Sequence, residues 1–484
     1  WERVLLNQFH DILPGSSIRQ VYEDTAEDYA HIAKKGGELL GSALSGILKT
    51  VHVAENSVVI CNTAGYQRSD YVQIPYSDSV DRDTVLIGEQ GVLRCQATEQ
   101  GILAYVEKIP AYGYCSLKMQ QGVAAGDADM MIAPDGAENR FYLLKLNDNG
   151  EIIYLYDKEN DRTVSCGQPM NVFTAYEDKP QRFDAWDVDV YYREKPYQKF
   201  SLVSSTVIEN GSARAVLRQV WTFNRSTLTQ DMILYADIRR IDFQTTVDWK
   251  EKQVFLKAYF PVAVHSDEVT YDIQFGSIRR PTHTNNEWDF ARFEVPGHKW
   301  ADLSEGGYGV ALLNDCKYGW DIHGNVIGLS LIKSAVHPDE TADRGRHVFA
   351  YALYPHRGDL SQSDVEQMAY SLNMPLLVSE RAGEPGGQEY AAFGMVSTDC
   401  RHVMLETLKQ SEDGKAVVVR LYEYRNQSEN NVCLRFAHRV RAAAETNLCE
   451  EGETWLDVED NQIHFGISGF EIKTFKLYFE RCGV

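Results

Sequence analysis

The chain has 484 residues, 44% of them hydrophobic and 11% aromatic, with a formal net charge of -22. That length exceeds a single core and points to roughly three or four domains. So acidic a chain lacks the Lys and Arg surplus that neutralises phosphates, which argues against nucleic acid as a partner, and no apolar run reaches the about eighteen residues of a membrane span.

The nine cysteines are odd in number, run from Cys61 to Cys482 and form no CxxC pair. That pattern fits reduced thiols and a cytoplasmic location better than a disulfide framework or a structural zinc site. The sequence starts at Trp1, without Met and inside a helical run, so the true N-terminus is expected upstream and the lack of a leader carries no information.

The first eighteen residues, WERVLLNQFHDILPGSSI, combine an amphipathic run (Trp1, Val4, Leu5, Phe9, Ile12) with a His10–Asp11 pair and a chain break at Pro14–Gly15. From Ile18 the apolar residues recur at helical spacing (Val21, Tyr22, Tyr29, Ile32, Leu39, Leu40, Leu44, Ile47). Ser16 or Ser17 is the expected cap. Gly36–Gly37 costs about 1 kcal/mol per glycine relative to alanine, so a kink or break is expected there. The two helices form a hairpin that cannot bury its apolar stripe alone.

From Ser57 the period drops to two. SVVICNT, YVQIPY, TVLIG, LAYVEKI and YCSLKM are short β-type runs separated by Gly, Asp and Pro, and GVAAGDAD (122–129) reads as a linker. A long array follows, with FYLLKL, EIIYLYD, SARAVLRQVWTF, RIDFQTTVDW, VFLKAYFPVAV, YGVALLND, VIGLSLI and HVFAYALY. VVVRLYEY, NVCLRF, NQIHFGI and FEIKTFKLYF close the chain. The expected fold is mainly β: a short N-terminal helical hairpin (1–50), a small β-sandwich (51–127), one large antiparallel sandwich (128–370) and a C-terminal β-domain (371–484).

On residue chemistry alone, His10–Asp11 is weak, since a lone histidine near a helix end is more often a surface or satisfied group than a ligand. In DAWDVD, Trp186 could stack on a sugar face, with Asp187 and Asp189 on one side of a strand and Asp184 on the other. A buried Trp among solvated Asp neighbours is the plainer reading. His265–Ser266–Asp267 spells an HxD but reads as a polar turn ending a strand. Arg279–His283 and His298–Asp302 are polar-aromatic loops, read first as structural.

QFHDILPGSS resembles the segment that supplies the last zinc ligand in family 38 glycoside hydrolases, the retaining α-mannosidases. NRFYLLKLNDNGEIIYLYDKENDR, DAWDVDVYY, VDWKEK, YDIQFGSIRRPTH, WDFARFEVPGHKWADLSE, YGVALLNDCKYG, HPDETADRGRHVFAYALYPHRGD, VVVRLYE and FEIKT are similar, in order, to landmarks of that family's C-terminal half, closest to its bacterial and cytosolic branch. The resemblance implies that residues 1–50 end a three-helix bundle, that His10 ligates zinc and that Asp11 hydrogen-bonds a sugar hydroxyl. It leaves Trp186 and Asp187 as candidates to line the cleft. It implies further that the other zinc ligands, the nucleophile and the acid/base carboxyl come from an N-terminal catalytic domain not represented in this sequence. A retaining glycosidase needs two carboxyls about 5 Å apart, and catalytic zinc wants three or more protein ligands, so these residues are expected to be inactive alone and to hold zinc poorly.

The expected substrate is an oligosaccharide with terminal α-mannose. A carbohydrate-binding or assembly module without hydrolase activity is the competing reading. A third is a scaffold for homo-oligomers that associate through residues 371–484.

Overall fold

Two helices open the chain: α1 (Glu2–Leu6) and the 30-residue α2 (Arg19–Leu48). The structure, a computed structural model, describes residues 1–124, 130–197, 199–381 and 387–480, so most of the expected 122–129 linker and Cys482 lie outside the described residues. α1 is shorter than the amphipathic run because Asn7 turns its amide back on the Arg3 carbonyl (2.8 Å) and donates to Asp28 on α2 (3.2 Å).

α2 is unbroken through Gly36–Gly37, so the alternative of a break there is not met. The glycine penalties of about 1 kcal/mol each are spread over a 30-residue run that also holds Ala26, Ala30, Ala33, Leu39, Leu40 and Leu44, with side-chain pairs at Arg19–Glu23 and Lys35–Glu38. Neither Ser16 nor Ser17 caps it: the N-cap is Ile18, without a side-chain bond, and the Ser17 N–H instead donates to the Tyr22 hydroxyl (2.7 Å). Of α2 only Leu48 is buried; Tyr29, Leu39, Leu40 and Ile47 stand exposed, as do Leu5, Leu6 and Phe9 before it. No helix among the described residues is long and apolar enough to cross a membrane.

Everything else is mainly β, in antiparallel sheets that fall into two compact units. The first unit comprises Trp1–Thr50, Ala128–Tyr271 and Arg279–Val365. In its largest sheet the strands Ser201–Asn210, Arg214–Phe223, Ser226–Tyr235, Ile241–Trp249, Gly345–Arg357, Tyr308–Asn314 and Trp300–Glu305 lie side by side in that order. A five-stranded sheet runs Val172–Glu177, Val254–Pro261, Val326–Lys333, Gly319–His323, Val295–Pro296.

Alternate residues of these strands point into one core. Trp221 packs edge-on against Phe173 (5.3 Å) while its Nε1–H donates to the Asn149 carbonyl (2.9 Å). Phe223 lies between the parallel rings of Phe200 and Trp249. One buried polar network closes on itself: Gln230 donates to Thr245 and Tyr351, and Tyr351 donates to Asn171, which returns a bond to Gln230, whereas the Tyr142 hydroxyl and the Trp249 Nε1 are buried without a hydrogen-bond partner among the described residues.

His356 gives this unit a pH dependence. Its Nε2–H donates to Asp302 at 2.7 Å inside the sheet. Burial lowers the imidazole pKa, but the Asp302 charge and hydrogen bond outweigh it and the net shift is upward from 6.5. A raised folded-state pKa contributes stability that is complete below the unfolded value and is lost as pH rises through the folded one. Melting scans should therefore show Tm falling as pH rises above the ordinary imidazole value of 6.5, with a shallower fall in His356→Gln, which keeps a donor but does not titrate there. Equal slopes would assign the pH dependence elsewhere.

The second unit comprises Val51–Asp127, Asp272–Ile278 and Glu366–Val484. Ser57–Asn62 pairs on one side with Gly113–Gln121 and on the other with Leu377–Arg381, so the first sheet of residues 51–127 is completed from far along the chain. With Arg68–Pro75 and Gly101–Ile109 it encloses Val58, Ile60, Ile74, Ile102 and Leu117. A five-stranded and a three-stranded sheet enclose a further core around Val419, Leu421, Phe475 and Leu477. All eight described cysteines are free, and burial pushes the Cys61 and Cys95 thiols up to about 11.

Candidate functional site

The corner between α1 and α2 is fixed by backbone contacts. The Tyr22 hydroxyl, one turn into α2, donates to the Asp11 carbonyl (3.3 Å) while accepting the Ser17 N–H. Gly15 takes φ +81°, a left-handed conformation that costs a side-chain-bearing residue about 1–2 kcal/mol. Because the backbone of Asp11 is held from the α2 side, the His10 and Asp11 side chains face outward, 68% and 48% exposed. His10 Nε2 lies 3.5 Å from Asp11 Oδ2, an electrostatic contact too long for a strong hydrogen bond.

Trp186 meets this pair from the loop after strand Val172–Glu177, its ring edge-on to the His10 imidazole at 6.4 Å. DAWDVD is not a strand, as its alternation suggested, but a turn tied down by its own polar groups. Phe183 sits at φ +55° and its carbonyl accepts the N–H groups of Trp186 (2.7 Å) and Asp187 (2.9 Å). Asp184 accepts the Val336 N–H (2.6 Å), and Asp189 accepts the Gln181 N–H (3.0 Å). Two of the three aspartates thus hold the loop, and Trp186 is 53% exposed rather than buried.

These groups surround an open concavity of about 460 Å³ lined by His10, Asp11, Ser16, Trp186, His337 and neighbours. Asp187 is exposed but is not part of that lining. His337 was not singled out from the sequence. It lies in an irregular segment after strand Val326–Lys333, and neither spacing nor periodicity connects it to His10.

The remaining candidates do not converge here. The His265 N–H donates to Glu305 and Ser266 bonds to the Glu268 carbonyl, a turn leading into Glu268–Ile273. Arg280 covers the Tyr271 ring (4.6 Å), Trp300 is buried, and Asp302 serves His356.

Chemically, the concavity offers two imidazoles (His10 and His337), one carboxylate and an aromatic face. Aromatic rings suit the C–H faces of sugars and carboxylates accept from hydroxyls. Among the described residues no group of three or more His, Cys, Asp or Glu side chains could hold a metal ion. His10 and Asp11 fit as donors to a metal but do not complete a site, since catalytic zinc takes three protein ligands.

Three family models match: the glycosyl hydrolases family 38 C-terminal domain over residues 137–341, the family 38 C-terminal beta sandwich domain over 402–475, and the alpha mannosidase middle domain over 1–47. Alpha-mannosidase 2C1 of Homo sapiens is 34% identical over 491 residues, covering 99% of this chain and 45% of the relative. Alpha-mannosidase G of Dictyostelium discoideum is 33% identical over 471 residues, covering 87% and 42%. The chain therefore spans less than half the length of these curated relatives. A crystal structure of an alpha-mannosidase from Enterococcus faecalis superposes with a TM-score of 0.81 at 16% identity, over 99% of this chain and 63% of that one, and so shares the fold.

Proposed function

Since the chain belongs to glycoside hydrolase family 38, we propose that it forms the C-terminal part of a retaining, zinc-dependent α-mannosidase that removes terminal α-linked mannose from oligosaccharides in the cytoplasm. The observation that carries this reading is the outward-facing His10–Asp11 pair, with Trp186 beside it, around a concavity large enough for a sugar ring. His10 presents its imidazole as one zinc ligand. A zinc ion held there would act as a Lewis acid toward sugar hydroxyls. Asp11 accepts a hydrogen bond from a hydroxyl of the bound mannose, and the exposed Trp186 ring packs on its C–H face.

Asp11 is the one carboxylate among the described residues lining the concavity. Retaining hydrolysis needs two carboxyls about 5 Å apart across the glycosidic bond. The nucleophile, the acid/base and the other zinc ligands are assigned to the part of the enzyme outside these 484 residues. The expected outcome is that this chain alone releases no aryl alcohol from an aryl α-mannoside and carries well under one equivalent of zinc. Turnover at the rate of a complete family enzyme would contradict the reading.

The half-exposed Trp186 beside a metal-incomplete site also favours a second reading, a sugar-binding module without hydrolase partners. Titration of the chain with mannose and mannobiose separates the two: tight saturable binding that is lost in Trp186→Ala supports the module. Weak or absent binding supports a cleft that needs the rest of the enzyme.

A further inference from the structure

We propose that the five-stranded sheet of the first unit carries a second sugar site, built to hold a neutral hexose on its outer face. The register places it there. Val172 pairs with Tyr259, Tyr259 with Gly328, and Gly328 with Asp321, so four neighbouring strands present these residues in one row on one face. A Cβ at Gly328 would come within 2.8 Å of the Tyr259 ring, so glycine lets that ring lie across the adjacent strand. Along Val172–Glu177 the partners Phe173 and Ala175 turn to the core, which leaves Val172 and Tyr176 on the outer face with Tyr259.

The result is a cavity of about 500 Å³ that shares no lining residue with the His10 concavity. Its volume lies within the roughly 300–1,000 Å³ typical of small-ligand pockets. Tyr176 and Tyr259, joined through their hydroxyls at 3.1 Å, form an aromatic wall. The floor is a hydrogen-bonded fork. Arg193 donates to Asp321 at 2.7 Å, His323 Nε2 lies 3.2 Å from the same carboxylate, and the Tyr259 hydroxyl donates to it at 3.4 Å. Burial opposes the charge on Asp321, but His323, Lys257 and Arg193 together hold its carboxyl well below the usual carboxylate range.

That floor selects the ligand class. Arg193 is matched by Asp321, and the Lys257 ammonium behind it by Glu294, so the buried charges cancel. An anion entering the cavity would meet the fixed charge of Asp321, and a cation would meet Arg193. A neutral polyol meets neither objection: its C–H face lies on the rings and its hydroxyls bond the tyrosine oxygens. The floor beneath is fixed by Arg193, which is already bonded to Asp321, to the Phe293 carbonyl (2.7 Å) and to His323 Nε2 (2.8 Å).

The test is calorimetric and saturation-transfer titration of this 484-residue chain with methyl α-mannoside, methyl α-glucoside, methyl β-galactoside and sulfate. Val326→Trp and Val172→Trp fill the cavity from opposite strands, Lys199→Ala removes the exposed cation at its rim, and Trp186→Ala alters the other concavity. At least one glycoside should bind with Kd of about 1 mM. That binding should weaken at least about tenfold in whichever blocking variant keeps the parent Tm, and change under about threefold in Lys199→Ala. No glycoside binding up to about 50 mM would overturn the proposal. So would binding lost only in Trp186→Ala, or sulfate binding abolished by Lys199→Ala. The readout is binding rather than hydrolysis, so it succeeds or fails separately from the mannosidase assignment.

Discussion

In the full-length enzyme, His10→Ala is expected to lower kcat/KM on an aryl α-mannoside by roughly 10²–10³-fold or more, the range seen when one preorganised electrostatic group is removed from an active site. The fold should survive, because the His10 side chain is 68% exposed and the corner is held by backbone contacts through Tyr22 and by Gly15 rather than by the imidazole. A roughly 10³-fold loss corresponds to about 4 kcal/mol of transition-state stabilisation, far above the change of about 0.5 kcal/mol expected in Tm-derived stability for an exposed site. Trp186→Ala should act differently, raising KM more than it lowers kcat, since a ring on the sugar face binds ground state and transition state alike. Steady-state kinetics with parallel melting curves read both. Unchanged kcat/KM in His10→Ala would remove His10 from the chemistry.

Lys257→Ala should be the most destabilising single change in the first unit. Lys257 lies in strand Val254–Pro261, fully buried, with its ammonium paired to Glu294, 3.5 Å from Asp321 and 4.9 Å from the centre of the Phe255 ring. Truncation leaves the Glu294 carboxylate without its counter-charge in a low-dielectric setting, and breaking a buried pair from one side costs about 3–5 kcal/mol. The expected drop in Tm is roughly 10 °C for a unit of this size. Adding Glu294→Gln to Lys257→Met removes both charges and keeps an acceptor for the Tyr192 hydroxyl, so the double variant should recover most of the loss. A double variant as unstable as Lys257→Ala would mean that packing, not charge, is what Lys257 contributes.

Many strands were legible from alternation, though Ser226–Tyr235, whose burial alternates over its first half, was missed. Arg214–Phe223 and Ile241–Trp249 show the period of two because one face of each meets the core. Partners were not legible. Nothing local in Ser57–Asn62, buried along its whole length, tells that Leu377–Arg381 lies beside it, since pairing follows from tertiary packing and not from propensity. The Gly36–Gly37 penalty was real but too small to break α2.

At the site, the forced turn drew attention to His10 and Asp11, but residue chemistry alone left them weak and their roles came from the resemblance of QFHDILPGSS to the family 38 segment. Trp186 stood out for its aromatic-acidic setting. The loop conformation around Trp186 escaped the pattern: Asp184 and Asp189 bond backbone N–H groups, and side chains that compete for the backbone in this way undo strand alternation. His337 escaped because only the fold brings it to the concavity.

The most direct measurement is the zinc content of the purified full-length enzyme and its His10→Ala variant, by mass spectrometry after exhaustive dialysis. The reading predicts about one zinc per polypeptide in the parent and well under half of that in His10→Ala, with Trp186→Ala at the parent level. Equal zinc in the parent and in His10→Ala would contradict it.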